Sequence, residues 1–182
     1  FVAFLEESAA YRPEPDVRLR FSAQYRFGLR IAPLGGARIK FPLDAAMDVV
    51  GGSLLWSHDG AALAFLSYGL DRARPPRIFR LDMATGALTS LGPPTLDAEL
   101  PEEDPRLVWT AAGDLLVCAT EVGHSGRAQL GGRRDWYAIG PQGYARPLTA
   151  GLVKPPARLV AAPDGGPLGV AEGAVWRVHP DG

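Results

Sequence analysis

One cysteine, two methionines and three histidines are spread over 182 residues, and each shortage removes a class of chemistry. The lone Cys118 cannot close an internal disulfide, and it leaves the compartment open, because periplasmic proteins can lack disulfides too. Its setting, Leu115-Leu-Val-Cys-Ala-Thr120, reads as a buried, inert thiol. His58, His124 and His179 stand far apart, with no spacing that suits zinc. Asp59 and Asp164 read as turn residues rather than calcium ligands. No apolar run approaches the eighteen or so residues of a membrane helix. Lysine is scarce as well, and the net charge of −1 gives neither nucleic acid nor an anionic bilayer a bulk attraction. Gly131-Gly132-Arg133-Arg134 is glycine-rich but lacks the Gly-Lys-Ser/Thr and the helix of a phosphate loop. No cofactor and no metal is implied.

Glycine and proline, by contrast, are plentiful. Twenty-two glycines and seventeen prolines, with 47% hydrophobic and 21% charged side chains, exclude a helical protein and a disordered one. They suit a chain of strands and turns with a core to bury.

The turns recur. Leu54-Leu-Trp-Ser-His-Asp-Gly60 returns as Leu107-Val-Trp-Thr-Ala-Ala-Gly113 and again as Leu159-Val-Ala-Ala-Pro-Asp-Gly165. Leu81-Asp-Met-Ala-Thr-Gly86 has counterparts in Ile31-Ala-Pro-Leu-Gly35, Ile139-Gly-Pro-Gln-Gly143 and Val178-His-Pro-Asp-Gly182. In each copy two short apolar runs meet at a glycine turn, with Asp-Gly read as the source of the positive φ that a tight hairpin requires. A period near fifty residues holding about four short strands is what a propeller blade needs, whereas helical repeats would show three-and-four spacing.

Trp-Ser-x-Asp-Gly, then a small apolar strand, an aromatic-rich strand, Asp and Thr-Gly, resembles the blades of TolB-type propellers. The same residues are similar to the amino-terminal propeller of the prolyl oligopeptidase and dipeptidyl peptidase family. The pattern departs at Ala111-Ala112-Gly113-Asp114 and at Ala161, which stands where the other copies have Trp. The first resemblance implies a non-catalytic module that binds protein or peptide, periplasmic in its setting. The second implies a cytoplasmic ring that filters access to a hydrolase domain outside this chain.

The expected fold is all-β: a propeller segment of about three and a half four-stranded antiparallel blades from a ring of about six to eight. Its divisions are a partial blade over 1–43, blades over 44–94 and 95–150, and a partial blade over 151–182. Strands a to d of each blade follow in order. The first partial blade has b at Phe1 to Glu6, c at Leu29 to Ala32 and d at Ala37 to Phe41. The second has a at Ser53 to Ser57, b at Ala62 to Ser67, c at Arg77 to Asp82 and d at Ala87 to Leu91. The third has a at Arg106 to Thr110, b at Asp114 to Glu121, c at Asp135 to Ile139 and d at Ala145 to Thr149. The last has a near Arg158 to Ala162, b near Pro167 to Ala171 and c at Ala174 to His179. Connectors at Leu43 to Gly52 and Gly92 to Pro105 carry no strand in this reading. Runs such as Leu115-Leu-Val-Cys118 are apolar at consecutive positions, so both faces of that strand should be covered. Both ends look cut inside a blade, so the natural protein should be longer, and the segment should self-associate through exposed sheet edges.

In this scheme the a–b and c–d turns lie at one end of the blades, and the long b–c loops and d–a linkers at the other. Long loops on a rigid scaffold are where binding concentrates. The loops at Glu7 to Gly28, Tyr68 to Pro76 and Val122 to Arg134 gather Arg12, Arg18, Arg20, Arg26, Arg72, Arg74, Arg77, Arg127, Arg133 and Arg134. Of these, Arg12, Arg20, Arg72, Arg74, Arg133 and Arg134 are the candidate ligand-binding residues, since guanidinium forks match carboxylates. Against them stand Glu14, Asp16, Asp71 and Asp135, interleaved with the arginines, and the acidic linkers on the same side. These favour a mixed, solvated surface.

No catalytic site is expected. Gly123-His-Ser125 opens like a nucleophile elbow, but Arg127 stands where the closing Gly belongs and no helix pattern follows. A triad would need a carboxylate and a histidine beyond it, and only His179 follows. Trp56, Trp109, Trp136 and Trp176 fall on predicted strands and read as blade-packing residues rather than a base-stacking platform.

Overall fold

The computed structural model describes residues 2–8, 26–32, 47–68, 75–98, 107–122, 132–162 and 166–179. Among them every regular element is a strand, and all pairing is antiparallel. The strands form four open sheets in chain order. The first pairs β1 (Val2–Ser8) with β2 (Arg26–Ala32). The second runs β3 (Leu55–Trp56), β4 (Ala62–Ser67), β5 (Arg77–Asp82), β6 (Leu88–Leu91), each beside the next. The third holds β7 (Leu96–Asp97), β8 (Leu107–Trp109), β9 (Leu115–Glu121), β10 (Arg134–Ile139) and β11 (Ala145–Pro147). The fourth is β12 (Leu159–Ala161), β13 (Pro167–Ala171) and β14 (Ala174–Arg177).

The consecutive apolar runs form central strands because each side of the pleat has a sheet to bury against. In β4, Leu63 and Phe65 join Leu29 and Ile31 of the first sheet. Ala62, Ala64 and Leu66 join Leu115, Val117, Ala119 and Ile139 of the third. In β9 the alternate residues, Leu116 and Cys118, turn the other way, onto Trp136 and Ala138 of β10 and Leu159 of the fourth sheet. The thiol of Cys118 is thus a core group. Side chains from β4 and β9 are 0–7% exposed save Glu121, and each fully buried Leu or Phe contributes about 1.5–3 kcal/mol. Trp109 ties two sheets together, its indole N–H donating to the Leu55 carbonyl across 3.1 Å.

The hairpin turns place the positive φ on their glycines. Only Gly60 carries positive φ in Ser57-His58-Asp59-Gly60, at 69°, and Gly113 repeats it at 87°. Both close with an i to i+3 bond, Gly60 N–H to Ser57 O and Gly113 N–H to Thr110 O. This is a type I turn ending in a left-handed glycine, and it needs one positive φ rather than the two of a type I′ turn. Asp59 serves the turn through its side chain: Oδ1 accepts from Ala61 N–H and Ser57 Oγ. The loss of Asp in the Ala111-Ala112-Gly113 copy therefore leaves the turn intact, since Gly113 does the necessary work.

Two connectors depart from the sequence reading. Leu96 and Asp97, expected in a plain linker, pair with Glu121 and Thr120. β8 covers only the first three residues of β9, so the outer end of β9 holds open donors and acceptors that β7 fills. The connector before the second sheet does the same: Val49 bridges Ser67, and Val50 N–H donates to Leu66 O. The first hairpin also runs further than expected, pairing Ser8 with Arg26, which shortens its loop and moves Arg26 and Gly28 onto a strand. The strand expected at Ala37 to Phe41 lies outside the described residues.

Candidate functional site

The two ends of the sheets differ in what their chain connections are made of. At one end the strands join through short turns at 57–62, 82–87, 110–114 and 140–144, closed by backbone bonds. The other end carries the connections after Ser8, Ser67 and Glu121, where three hairpins are joined through 9–25, 68–76 and 122–133. The fourth sheet breaks this pattern. β13 and β14 meet in a two-residue turn, Glu172 and Gly173, with φ of 53° and 77°, the type I′ signature.

Buried polar groups gather at the loop end. Asp48, Ser67, Thr120, Asp135 and Thr149 are each 7% exposed or less, and the connectors dock there. Tyr68 N–H donates to Asp48 O and Val122 N–H to Thr95 O. The best-defined group surrounds Asp135. Arg133 grips its carboxylate with two bonds, Nε to Oδ2 at 2.9 Å and a terminal nitrogen to Oδ1 at 3.1 Å. The same nitrogen donates to the carbonyls of Thr149 and Leu152. Thr149 Oγ1 donates to Asp135 Oδ1 and accepts from Trp136 N–H, both at 2.9 Å. The Trp136 indole N–H then donates to Pro156 O at 2.8 Å.

These bonds clamp the connection from the third sheet to the fourth, residues 148–156, onto the start of β10. Charge-assisted, bidentate bonds of this kind are stronger than neutral ones. The bond to Asp135 also raises the Arg133 pKa beyond its ordinary value, so the guanidinium is charged throughout the working range.

The candidate arginines thus fall into three groups. Arg133 spends its fork on Asp135 and two carbonyls, so its local role is to position the connector. Arg134 opens β10 opposite Thr120 and is exposed. Arg12, Arg20, Arg72 and Arg74 lie outside the described residues, as do His124 and Ser125. Exposed Arg77 opens β5, and exposed Glu121 closes β9, so the rim of strand ends mixes both signs. Just inside the rim, burial raises the Tyr137 hydroxyl pKa, with the charges of Glu121 and Asp135 adding to it. The phenol remains a neutral donor at ordinary pH.

Thr149 was legible only as the last residue of a strand. The pairing of Arg133 with Asp135 had a signal, since residues two apart on a strand share a face. Trp56, Trp109 and Trp136 pack between sheets as expected, while Trp176 stays 37% exposed, its indole N–H on the Ala171 carbonyl of its own hairpin.

Among the described residues no group of three His, Cys, Asp or Glu side chains could hold a metal ion. No helix among them is long and apolar enough to cross a membrane. No protein-family profile matches the chain, and no curated protein matches it.

Proposed function

We propose that the chain is a β-propeller segment of the TolB type, a non-catalytic interaction or gating module that binds protein or peptide at the loop end of its sheets. The observation that carries this reading is the asymmetry of the connections. Tight turns close one end, and three long connections leave the other, those after Ser67 and Glu121 from strands held rigid by sheets on both faces. Rigid strands with long loops at one end make a binding platform. Stacking of four antiparallel sheets in chain order supports the propeller part of the reading, because blades bury both faces of their inner strands in the same way. Arg134, with Arg12, Arg20, Arg72 and Arg74, supplies the forks for carboxylates on the ligand, and Arg133 holds the frame.

The test is selection of binding peptides from a random displayed library, followed by hydrogen exchange of the chain with and without the selected peptide. Protection is expected at Ser67 to Arg77 and Glu121 to Arg134. Protection confined to the turns at 57–62, 82–87, 110–114 and 140–144 would overturn the assignment.

A further inference from the structure

Stacking covers the faces of these sheets and leaves their edges to other means. β6 is the edge strand of the second sheet, and no other strand among the described residues pairs with its outer side. Asp82 N–H donates to the Ala87 carbonyl, and the register carries that alternation onward: Thr89 exchanges bonds with Arg80, and Leu91 with Ile78. Leu88 and Ser90, in between, therefore turn their N–H and C=O groups away from β5. The corresponding strand of the third sheet is blocked at this place. Gly140 N–H donates to Tyr144 O and Leu148 N–H to Trp136 O, so Ala145 and Pro147 are the outward residues of β11. Pro147 has no N–H to offer, and proline on an edge guards against strand addition. β6 reads Leu-Thr-Ser-Leu, with no proline and no charge. Its edge owes nothing to where the sheets stop stacking, because a neighbouring sheet meets faces and not edges.

We propose that the edge of β6 takes up an extended acidic peptide as a further strand, antiparallel to β6. Main-chain bonds to Leu88 and Ser90 supply the affinity, and alternate side chains supply the choice of sequence. Antiparallel pairing is the mode of every strand described here and the more stable one per residue. A peptide residue opposite Leu88 lies beside a leucine that is 38% exposed without it, and a β-branched side chain there covers it. The next peptide residue, opposite Thr89, falls on the other face, in one row with Thr89, Arg80 and Ala64. The added strand lies about 10 Å from β5, two strand spacings, a gap that an Arg and a Glu side chain close together over the smaller Thr89. Arg80 has room for that partner. Its terminal nitrogen stands 3.9 Å from Asp82 Oδ2, at the limit of an ion pair, with 34% of the side chain exposed. Its Nε makes no hydrogen bond. Asp82, meanwhile, gives Oδ1 to the turn, to Ala84 and Thr85. A peptide glutamate supplies the close carboxylate that Asp82 does not, so the pattern read by this edge is β-branched, Glu, β-branched. The inference is independent of the loop-end reading, since these residues lie on a sheet edge and not among the long connections.

Amide exchange of the full chain, followed by NMR, tests it with the capped synthetic peptide Ser-Thr-Val-Glu-Val-Thr-Ser as the probe. In the free chain Leu88 and Ser90 should exchange faster than Thr89 and Leu91, whose N–H groups bond β5. Saturating peptide should slow both by at least about fivefold. A probe with Gln in place of Glu should bind up to about fivefold more weakly, as the loss of an exposed ion pair does, and Arg80→Gln should erase that preference. Ser90→Pro copies the guard of β11 and should end binding while the circular dichroism spectrum stays unchanged. A probe with proline in place of its first valine loses the matching bond without any change to the chain, and it should not bind either. Leu88 and Ser90 amides that are already as slow as Thr89 and Leu91 in the free chain overturn the proposal, because the edge is then filled by the chain itself or by a second copy. So does an absence of slowing at about 5 mM peptide, too weak for a specific site, or slowing confined to Ser67 to Arg77 and Glu121 to Arg134. Equal binding of the Glu and Gln probes overturns the acidic preference.

Discussion

The third and fourth sheets carry copies of one sequence repeat, Leu107-Val-Trp and Leu159-Val-Ala, and differ in burial. β9 is buried at six consecutive residues, whereas β13 alternates and β14 is exposed along its whole length. The sequences differ in step: β9 reads Leu-Leu-Val-Cys-Ala-Thr-Glu, while β13 reads Pro-Leu-Gly-Val-Ala. A strand with sheets on both sides needs apolar atoms at every position. One with a single neighbour tolerates glycine on the covered side, where the next chain presses close. Gly169 is that position: a Cβ there would stand 2.6 Å from Leu159 Cδ2 and 2.7 Å from Pro156 Cβ. The close approach of residues 156–159 in the fourth sheet takes the place that side-chain packing fills in the third.

Leucine truncation should separate the two sheets most strongly. Leu116 is 0% exposed with neighbours from two sheets, so Leu116→Ala should cost about 2–5 kcal/mol in urea unfolding. Val170→Ala, on the exposed face, should stay within about 0.5 kcal/mol at concentrations where the chain is single. Equal losses would mean that the fourth sheet's outer face is covered in solution by something the chain brings with it.

Adding volume probes the covered side of the fourth sheet. Gly169→Ala should cost about 1–3 kcal/mol, because two of the opposing atoms belong to the Pro156 ring and the Arg158 backbone and cannot rotate away. The same change at Gly51, where nothing lies within 4 Å, should be near neutral. Thermal melts of both variants decide whether Gly169 is there for the close approach.

The polar clamp gives a third, smaller contrast. Thr149→Val keeps the shape and removes the hydroxyl that accepts from Trp136 N–H and donates to Asp135. One buried amide is left without a partner, for an expected loss of about 1–3 kcal/mol. Hydrogen exchange at Leu148, whose N–H donates to the Trp136 carbonyl, and at Leu152, whose N–H donates to the Thr149 carbonyl, should speed up while exchange in β4 stays slow. Uniform acceleration would show that the clamp serves the whole chain rather than the connection to the fourth sheet.

Much of this architecture was legible because strands with two covered faces leave an unbroken apolar run. β4, β5 and β13 begin and end where the sequence reading puts them. β7 was not legible, because Pro93-Pro94-Thr95-Leu96-Asp97 reads as a linker by composition and its pairing depends on the unfilled end of β9, a tertiary circumstance. Asp-Gly marked the hairpin, and the backbone puts the positive φ on Gly60 and gives the aspartate to side-chain bonding. At the loop end the charge pattern showed where arginines and acids mix but not which pairs close. Arg133 was assigned to a ligand on its chemistry, and its geometry turns that chemistry on Asp135.

The smallest expected effect separates the turn end from the loop end by pH. Asp82 Oδ1 accepts from Thr85 N–H, Ala84 N–H and Thr85 Oγ1. These bonds, led by the Thr85 amide, hold its pKa below the usual 3.8. Asp59 is lowered likewise, chiefly by Ala61 N–H and then by Ser57. A carboxylate with a depressed folded-state pKa binds its proton more readily when the chain unfolds. Its contribution is therefore complete above the unfolded value and is lost as pH falls through the folded one. The wild type should lose melting temperature progressively below about pH 4. Asp82→Asn and Asp59→Asn should each start lower at pH 7 and flatten that acid slope. Arg133→Gln, at the loop end, should lower the melting temperature and leave the slope set by Asp59 and Asp82 in place. If the two asparagine variants keep the wild-type acid slope, the turn carboxylates are not its source.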